Sequence, residues 1–315
     1  MWSYISPEQH DHDLANFIAI LGARHHFDSM ITIIFDKNLM RAPAMEEFLA
    51  MDRSHSVAFS DWTIIEMQKK NALTTSRESL TIAAKFPNQV FALRPIGDIL
   101  DDEVRSKDDA VKLIDYAESV RLGQLAADLR RVPPPEHLGP MMQEAETYAS
   151  TMIERLRNEV ADWEDALVGA AGEFTREERR AIATKQKVSD ATKRKAVALL
   201  LEATRNFMID NQQKQGEKAL AVKDAMSMFA FRYSLCVLIH TLAWIGEGAG
   251  RGKKLERRVN DAIDLQVAAV GTYFEGAFSG DKQVRDVSFV ARTLLRQWGA
   301  YVGDDWQHPD LVGRS

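Results

Sequence analysis

Short apolar runs alternate with longer amphipathic segments over the first hundred residues. Each run is rich in β-branched or aromatic residues and apolar on both faces, which is typical of strands in a parallel sheet. The three predicted strands are Met30–Phe35, Ser56–Ser60 and Gln89–Leu93. The intervening segments predict helices over about 44–51, 61–71 and 77–86. Strands separated by helix-length segments indicate parallel βαβ units.

The same pattern returns near the end of the chain. Leu255 to Tyr273 is predicted to be helical, and Gly276–Gly280 is predicted to be a fourth strand. Between about residues 108 and 246 the apolar positions recur every three or four residues, which predicts helices and no strand. The pattern therefore predicts an α/β fold with a mostly parallel sheet of four to five strands. An all-helical module is inserted between the third and fourth strands.

Within the helical module, the apolar stripe Met141–Leu167 predicts one long amphipathic helix. Thr175 with Glu178 three residues later predicts a capping box, and either Ser189 or Asp190 can cap a further helix. The expected organisation is an N-terminal extension (1–29), the first half of an α/β domain (30–110), a helical insertion (111–225), the second half (226–300) and a tail (301–315).

Composition narrows the class of protein. The chain has 315 residues, of which 45% are hydrophobic and 27% are charged, and these values exclude global disorder. A single cysteine, Cys236, excludes an internal disulfide framework and favours a reducing, cytoplasmic location. The run Met226–Ile245 has the length of a membrane span but carries Arg232 and His240, so it is predicted to be a buried helix and no membrane association is expected.

Charge is distributed unevenly along the chain. The formal net charge of −6 argues against a surface that is coated by nucleic acid. Residues 176–223 contain 12 basic and 6 acidic side chains, a local charge of +6. Such a stretch can be a solvated helix face or a phosphate-binding surface.

Acidic residues follow the predicted strands. Asp36 comes directly after the first strand, Glu66 lies in the helix after the second, and Asp281 follows the fourth. Asp261 and Asp264 share one face of the helix that precedes the fourth strand. Because the carboxyl ends of parallel strands meet at one edge, these carboxylates are expected to converge. A divalent cation relieves the repulsion of such a cluster, and oxygen ligands suit Mg²⁺ or Mn²⁺.

Four segments resemble motifs of PIN-domain nucleases, in the order in which that family has them. They are Asp36–Leu39, similar to the D-x-N opening after the first strand; Ser60–Glu66, similar to the segment with the second acid; Asp264–Ala269, similar to the D-x-x-I-A-A helix; and Phe278–Asp281, similar to the strand end with the last acid. The resemblance covers about residues 30–100 and 226–300. It implies a PIN-like three-layer fold and a metal-dependent ribonuclease activity.

Carried over by position, the resemblance implies the following roles. Asp36, Asp264 and Asp281 would bind Mg²⁺ or Mn²⁺. Glu66 would be a further ligand or would position water. The supporting residues would be Asn38, which holds Asp36 by a hydrogen bond, Ser279, and Asp261, which is either an outer group or the ligand in place of Asp264. Lys37 occupies a position where the family often has a small polar residue, and the inserted helices are unusually long.

The leading functional hypothesis is a metal-dependent endoribonuclease that acts on RNA, with single-stranded DNA as an alternative substrate. The family resemblance suggests a toxin or a defence effector. The expected substrate-binding residues are Lys37, Lys193, Arg194, Lys195 and Lys282.

The alternative hypothesis is an interaction protein on a PIN scaffold. In that case the helical insertion docks a protein partner or inhibitor, or the chain forms a homo-oligomer. A haloacid-dehalogenase-like phosphatase is disfavoured, because that family requires an aspartate where this chain has Asn38.

Overall fold

A five-stranded sheet with helices on both faces forms the centre of the protein. The computed structural model describes residues 30–184, 186–209, 222–248 and 252–306. The predicted extension 1–29, part of the basic stretch (185 and 210–221) and the tail from 307 onward lie outside the described residues. The strand order is β4-β3-β2-β1-β5.

Four strands are parallel and match the predicted runs. They are β1 (Ile31–Phe35), β2 (His55–Phe59), β3 (Val90–Leu93) and β5 (Ala277–Phe278). Ile33 pairs with Val57, and Ile34 on the other side of β1 pairs with Ala277. The prediction of an α/β fold with a mostly parallel sheet is confirmed. The first strand therefore lies between the second and the last, and its carboxyl end is next to that of β5.

The edge strand β4 (Ile114–Asp115) was not predicted, and the expectation of no strand between residues 108 and 246 was wrong. This strand runs antiparallel to β3, with Leu93 opposite Ile114. Two residues carry too little periodicity to be recognised, and their strand conformation depends on pairing with β3. The Asp115 side chain then accepts a hydrogen bond from the Glu118 backbone N–H and caps the next helix.

Helices occupy most of the remaining described chain. In order they are α1 (Pro43–Met51), α2 (Asp61–Gln68), α3 (Ala72–Ser79), α4 (Ile96–Ile99), α5 (Lys107–Val111), α6 (Tyr116–Leu129), α7 (Leu138–Glu159), α8 (Trp163–Gly172), α9 (Arg176–Ala183), α10 (Asp190–Ile209), α11 (Val222–Ala225), α12 (Phe229–Gly246), α13 (Leu255–Val270) and α14 (Lys282–Gln297). Short 3₁₀ turns lie at Lys37–Leu39 and Ala83–Lys85.

The two faces of the sheet bury alternate residues of each strand. Ile33 and Phe35 point to one face, where they pack with residues of α1, α6 and α7. Ile34 and Phe91 point to the other face, which is covered by α12, α13 and α14. The helices between residues 111 and 225 lie on both sides, because α6 packs on β3 whereas α9 and α10 pack on α12.

The stripe Met141–Leu167 forms two helices, so the prediction of a single helix was wrong. Helix α7 ends at Glu159 and α8 begins at Trp163. The Arg258 guanidinium donates to the carbonyls of Val160 and Ala161 in the intervening turn. This long-range contact satisfies carbonyls at the helix end, and the local pattern does not reveal it.

The predicted helix caps and helix ends agree with the structure in part. The capping box at α9 is confirmed, since the Glu178 N–H donates to Thr175 and the Glu178 side chain accepts from the Thr175 N–H. Ser189, rather than Asp190, accepts from the Thr192 N–H at the start of α10. The predicted helix over 77–86 was wrong, because α3 ends at Ser79 and a 3₁₀ turn follows.

Helix α12 is long and apolar enough to cross a membrane, judged by length and composition alone, and 61% of this stretch is buried in the structure. The same property is common in core helices of soluble proteins. Arg232 on this helix is fully buried, lies over the Tyr273 ring and donates to the Tyr301 carbonyl oxygen at 2.6 Å. This charged side chain therefore connects α12 to the chain segments around α13 and α14.

Arg292 of α14 holds the chain on both sides of β5. The buried guanidinium donates to the carbonyl oxygens of Gly271 (2.6 Å), Phe274 (2.8 Å) and Gly303 (2.5 Å), and to the Asp305 carboxylate (2.8 Å). The first two carbonyls belong to the turn that leads into β5. Arg292 thus fixes the strand that delivers Asp281 to the sheet edge.

We expect Arg292→Met to lower the free energy of unfolding by about 3–5 kcal/mol, because several buried carbonyl oxygens lose their donor. The matched control is Arg296→Gln, which removes a 40% exposed guanidinium that bonds the same segment. The control should cost about 1 kcal/mol or less. Urea denaturation of both variants measures the difference. Equal losses for the two variants would contradict the assigned role of Arg292.

Candidate active site

Asp36 lies at the carboxyl end of β1, directly beside β5. Its backbone N–H donates to the Phe278 carbonyl oxygen at 2.9 Å, which continues the pairing of the two strands. The side chain is only 4% exposed. Two of the three predicted supporting residues donate to the same oxygen, Oδ2: the Ser279 hydroxyl at 2.8 Å and the Asn38 amide at 3.2 Å. The carboxylate is therefore fixed in orientation at the sheet edge.

Opposing influences act on the pKa of the Asp36 carboxyl. Burial raises its pKa, and the negative charge of Glu66 raises it further. Hydrogen bonds from Ser279, the Lys37 backbone and Asn38 lower the pKa and partly offset these effects. The net result is a pKa above the ordinary value of 3.8.

Asp281 caps α14 at the end of β5. Its carboxylate accepts from the Gln283 N–H at 2.7 Å, and its own N–H donates to the Ser279 hydroxyl oxygen at 3.0 Å. Ser279 therefore accepts from the Asp281 backbone while it donates to Asp36. One hydroxyl thus couples the ends of β1 and β5, because each of its hydrogen bonds fixes one of the two strand ends.

Asp264 lies halfway along α13 and is half-buried. Burial raises the pKa of this carboxyl to about 7, and the charges of four other acids contribute. In decreasing order, those acids are Asp281, Asp36, Asp261 and Glu66. Asp281, Asp36 and Glu66 are therefore close enough for their charges to act on Asp264. Burial and the neighbouring negative charges together disfavour ionisation of this carboxyl.

Glu66 of α2 faces a group of basic side chains. Lys69 Nζ lies 2.9 Å from Glu66 Oε1. Burial lowers the pKa of the nearby Lys37, with contributions in the same direction from Lys69 and Arg41, whereas Glu66 and Asp36 oppose the shift. Acidic and basic side chains thus alternate on the β1–α2 side of the site.

Asp261 occupies a different environment from Asp264, one turn away on α13. Its buried carboxylate lies 2.9 Å from Lys253 Nζ and 3.0 Å from Arg257 Nε. His240 Nε2 is 4.0 Å away. Asp261 is therefore already paired with two cations, although its charge still raises the pKa of Asp264.

Helix α7 sets the width of the acidic edge. Leu156 of α7 and Val160, directly after its end, pack with apolar residues of α2 (Trp62 and Ile65) and of α13 (Val259, Ala262 and Ile263). These two partner helices carry Glu66 and Asp264. The apolar contact therefore fixes the separation of the two backbones on which these acids lie.

The predicted substrate-binding residues of the helical insertion are mostly engaged with acids. Lys193 pairs with Asp190 at 2.9 Å, and Lys195 pairs with Glu178 at 2.7 Å while it lies over the Phe174 ring. Arg194 is exposed. Lys282, at the start of α14, forms an ion pair with Asp286. Lys195 links α9 to α10, so its first role is to hold these helices together.

The acidic edge fits a hard divalent cation in chemistry. All four candidate ligands are carboxylates, and their repulsion raises the pKa of Asp264. Within the described ranges, however, no three His, Cys, Asp or Glu side chains converge as a ready-made metal cage. Like-charged carboxylates stand apart when no cation lies between them. The edge therefore has the ligand chemistry of a divalent-cation site without the closed spacing of an occupied one.

Several charged residues at this edge were missed by the sequence analysis. Lys69 follows Glu66 by three positions, and Arg257 precedes Asp261 by four, so both pairs show helical ion-pair spacing. That spacing is common on helix surfaces and does not identify a site. Comparison of the chain with family models, curated proteins and solved structures finds no match.

The pKa of Asp264 predicts a pH-dependent stability. Between the unfolded value of 3.8 and the folded value of about 7, the folded protein holds a proton that the unfolded chain releases. Stability of the metal-free protein should therefore fall as pH rises through this interval, by up to about 4 kcal/mol from this group.

Thermal unfolding in EDTA at pH 5.5 and pH 8 tests this expectation, with Asp264→Asn as the comparison. The variant should show a smaller loss on going to pH 8 and should be the more stable protein there. An identical pH dependence in the two proteins would show that Asp264 has no raised pKa.

Proposed function

We propose that the protein is a Mg²⁺- or Mn²⁺-dependent nuclease with a PIN-like three-layer fold, and that its substrate is RNA. The observation that carries this proposal is the set of four acids at one sheet edge, where burial and the charges of the neighbouring acids together raise the pKa of Asp264 to about 7. Such an arrangement costs stability in the absence of a cation. It is expected where binding of a cation offsets the cost.

Three carboxylates would hold the ion. Asp36 is fixed by Ser279 and Asn38, Asp281 is fixed by its cap on α14, and Asp264 lies opposite them on α13. We assign Asp264 rather than Asp261 as the ligand, because Asp261 is already paired with Lys253 and Arg257. When bound, the ion would neutralise these acids, lower the pKa of a bound water and stabilise the leaving oxygen.

The remaining residues orient the substrate and the attacking water. In the hydrolysis, a water oxygen bonds to phosphorus, the bond from phosphorus to a ribose oxygen breaks, and that oxygen gains a proton. Glu66 would accept a hydrogen bond from the water or serve as a further ligand. Lys37, which feels the charges of Glu66 and Asp36, would bind a phosphate oxygen.

A second candidate function is an interaction protein on the same scaffold. It is favoured by the ion pair between Glu66 and Lys69, which satisfies one acid without a metal. It is also favoured by the absence of a preformed three-residue metal cage among the described side chains. Under this proposal, a protein partner or a second copy of the chain would dock on the helices between residues 111 and 225.

Cleavage of a labelled single-stranded RNA separates the two proposals. The nuclease should cleave in Mn²⁺ or Mg²⁺ and not in EDTA. Asp36→Asn and Asp264→Asn should each lower the rate at least a hundredfold, since each removes a ligand charge without changing shape. The matched control is Asp128→Asn, which removes an acid of α6 that pairs with Arg131. This variant should retain wild-type activity.

Calorimetric titration with Mn²⁺ accompanies the cleavage assay. Binding to the wild-type protein that is lost in Asp264→Asn would support the nuclease, even when the RNA tested is a poor substrate. Wild-type protein that neither binds Mn²⁺ nor cleaves RNA or single-stranded DNA would rule out the nuclease and leave the interaction protein.

A further inference from the structure

We propose that Lys253 and Arg257 form a phosphate-binding pair beside the acidic edge and that they hold the nucleic-acid backbone next to the cleaved bond. This inference rests on the proposed nuclease function and adds a binding surface to it. The inference is based on the cationic turn, which we define as residues 253–257, and on its position at the start of the helix that bears Asp264.

Arg257 and Asp264 lie on one face of α13, and Lys253 lies in the segment that leads into this helix. Arg257 precedes Asp264 by seven residues, which is two helical turns and about 10 Å along the axis. Asn260 is exposed between them.

Asp261 holds both cations in place. Its side chain is 2% exposed, whereas Lys253 and Arg257 are 34% and 49% exposed. One buried carboxylate thus faces two partly exposed cations, which leaves the group with a net positive charge. The adjacent Lys254 is also exposed and adds to that charge.

The Arg257 guanidinium is not saturated by Asp261. Although Arg257 Nε lies 3.0 Å from Asp261 Oδ1, this oxygen has no aligned hydrogen-bond donor. The pair is therefore held by charge more than by a directed hydrogen bond. Among the described residues, the donors of the guanidinium fork have no further partner, and their planar geometry is well suited to phosphate oxygens.

The cationic turn is fixed against its neighbours. Arg258 donates to the carbonyl oxygens of Val160 and Ala161, and the Gly252 N–H donates to Glu164 at 2.6 Å. Behind Asp261, His240 stacks on Trp163 with ring centroids 6.0 Å apart. Burial lowers the pKa of His240, so this ring is neutral at pH 7 and adds no positive charge to the group. The binding groups are thus preorganised.

The other basic surface of the chain is a weaker candidate. Lys193 and Lys195 are each paired with one acid, so the charges on α9 and α10 largely balance at close range. On the far side of the acidic edge, Lys37 and Lys69 provide positive charge around Glu66. A strand that runs from this β1–α2 side to Arg257 would cross the carboxylates with cations at both ends.

Binding in EDTA tests the pair without requiring catalysis. Fluorescence anisotropy of a labelled 12-nucleotide RNA would be measured at 50 and 200 mM salt. Arg257→Gln should weaken binding about three- to tenfold at low salt and reduce the salt slope by about 0.7, the value for one phosphate contact on a single strand. The matched control is Lys85→Gln, an ion-paired cation before β3, and it should bind within twofold of wild type.

A second comparison guards against misfolding, since Arg257→Gln leaves Asp261 with one partner fewer. Asp261→Asn removes the buried charge and should bind RNA at least as tightly as wild type. Asp261→Asn combined with Arg257→Gln should bind at least threefold more weakly than Asp261→Asn alone. Equal affinities of these two variants would overturn the proposal, as would wild-type protein that binds neither RNA nor single-stranded DNA.

Failure of the nuclease proposal has a different signature. If wild-type protein binds RNA through Arg257 but does not cleave it in Mn²⁺, the phosphate-binding pair stands and the catalytic assignment fails. If cleavage is metal-dependent and the affinity is unchanged in both Arg257 comparisons, the catalytic assignment stands. Lys253 and Arg257 then serve only to neutralise Asp261.

Discussion

Repulsion among carboxylates at the carboxyl ends of β1 and β5 is the constraint on which the rest of the site depends. Asp36 and Asp281 are brought together by strand pairing, and Asp264 is added from α13. The Ser279 hydroxyl fixes the first two by donating to one and accepting from the backbone of the other. Arg292 anchors the turn before β5, so the position of Asp281 depends on a buried cation far along α14. The surrounding fold therefore holds like charges close together, which is the arrangement that a bound cation would stabilise.

The apolar pattern predicted the parallel part of the sheet, because β1, β2 and β3 are compact runs that are buried on both faces. It did not predict β4, whose two residues form a strand only by pairing with β3. The same pattern predicted one helix in place of α7 and α8, because the apolar stripe continues through the turn between them. That turn is stabilised by Arg258, about a hundred residues away, and no local pattern contains that contact.

The acidic residues were predictable for a topological reason, since residues after parallel strands meet at one edge. Their partners were less predictable. The sequence does not distinguish Asp261 from Asp264, because both are aspartates on one face of the same helix. Only the tertiary contacts show that Asp261 is paired with Lys253 and Arg257. In the same way, the charge of residues 176–223 suggested a binding surface, but Lys195 is bound to Glu178 and supports the packing of α9 on α10. Charge along a sequence gives no information about which ions are already paired.

The central claim is that Asp264 lies in a field of negative charge that a divalent cation would cancel. Carbon-detected NMR of the Asp264 carboxyl, titrated with pH in EDTA and again in Mg²⁺, tests this claim directly. We expect a pKa of about 7 without the ion and a value below the ordinary 3.8 with it. A pKa near 3.8 in EDTA that does not respond to Mg²⁺ would contradict the account.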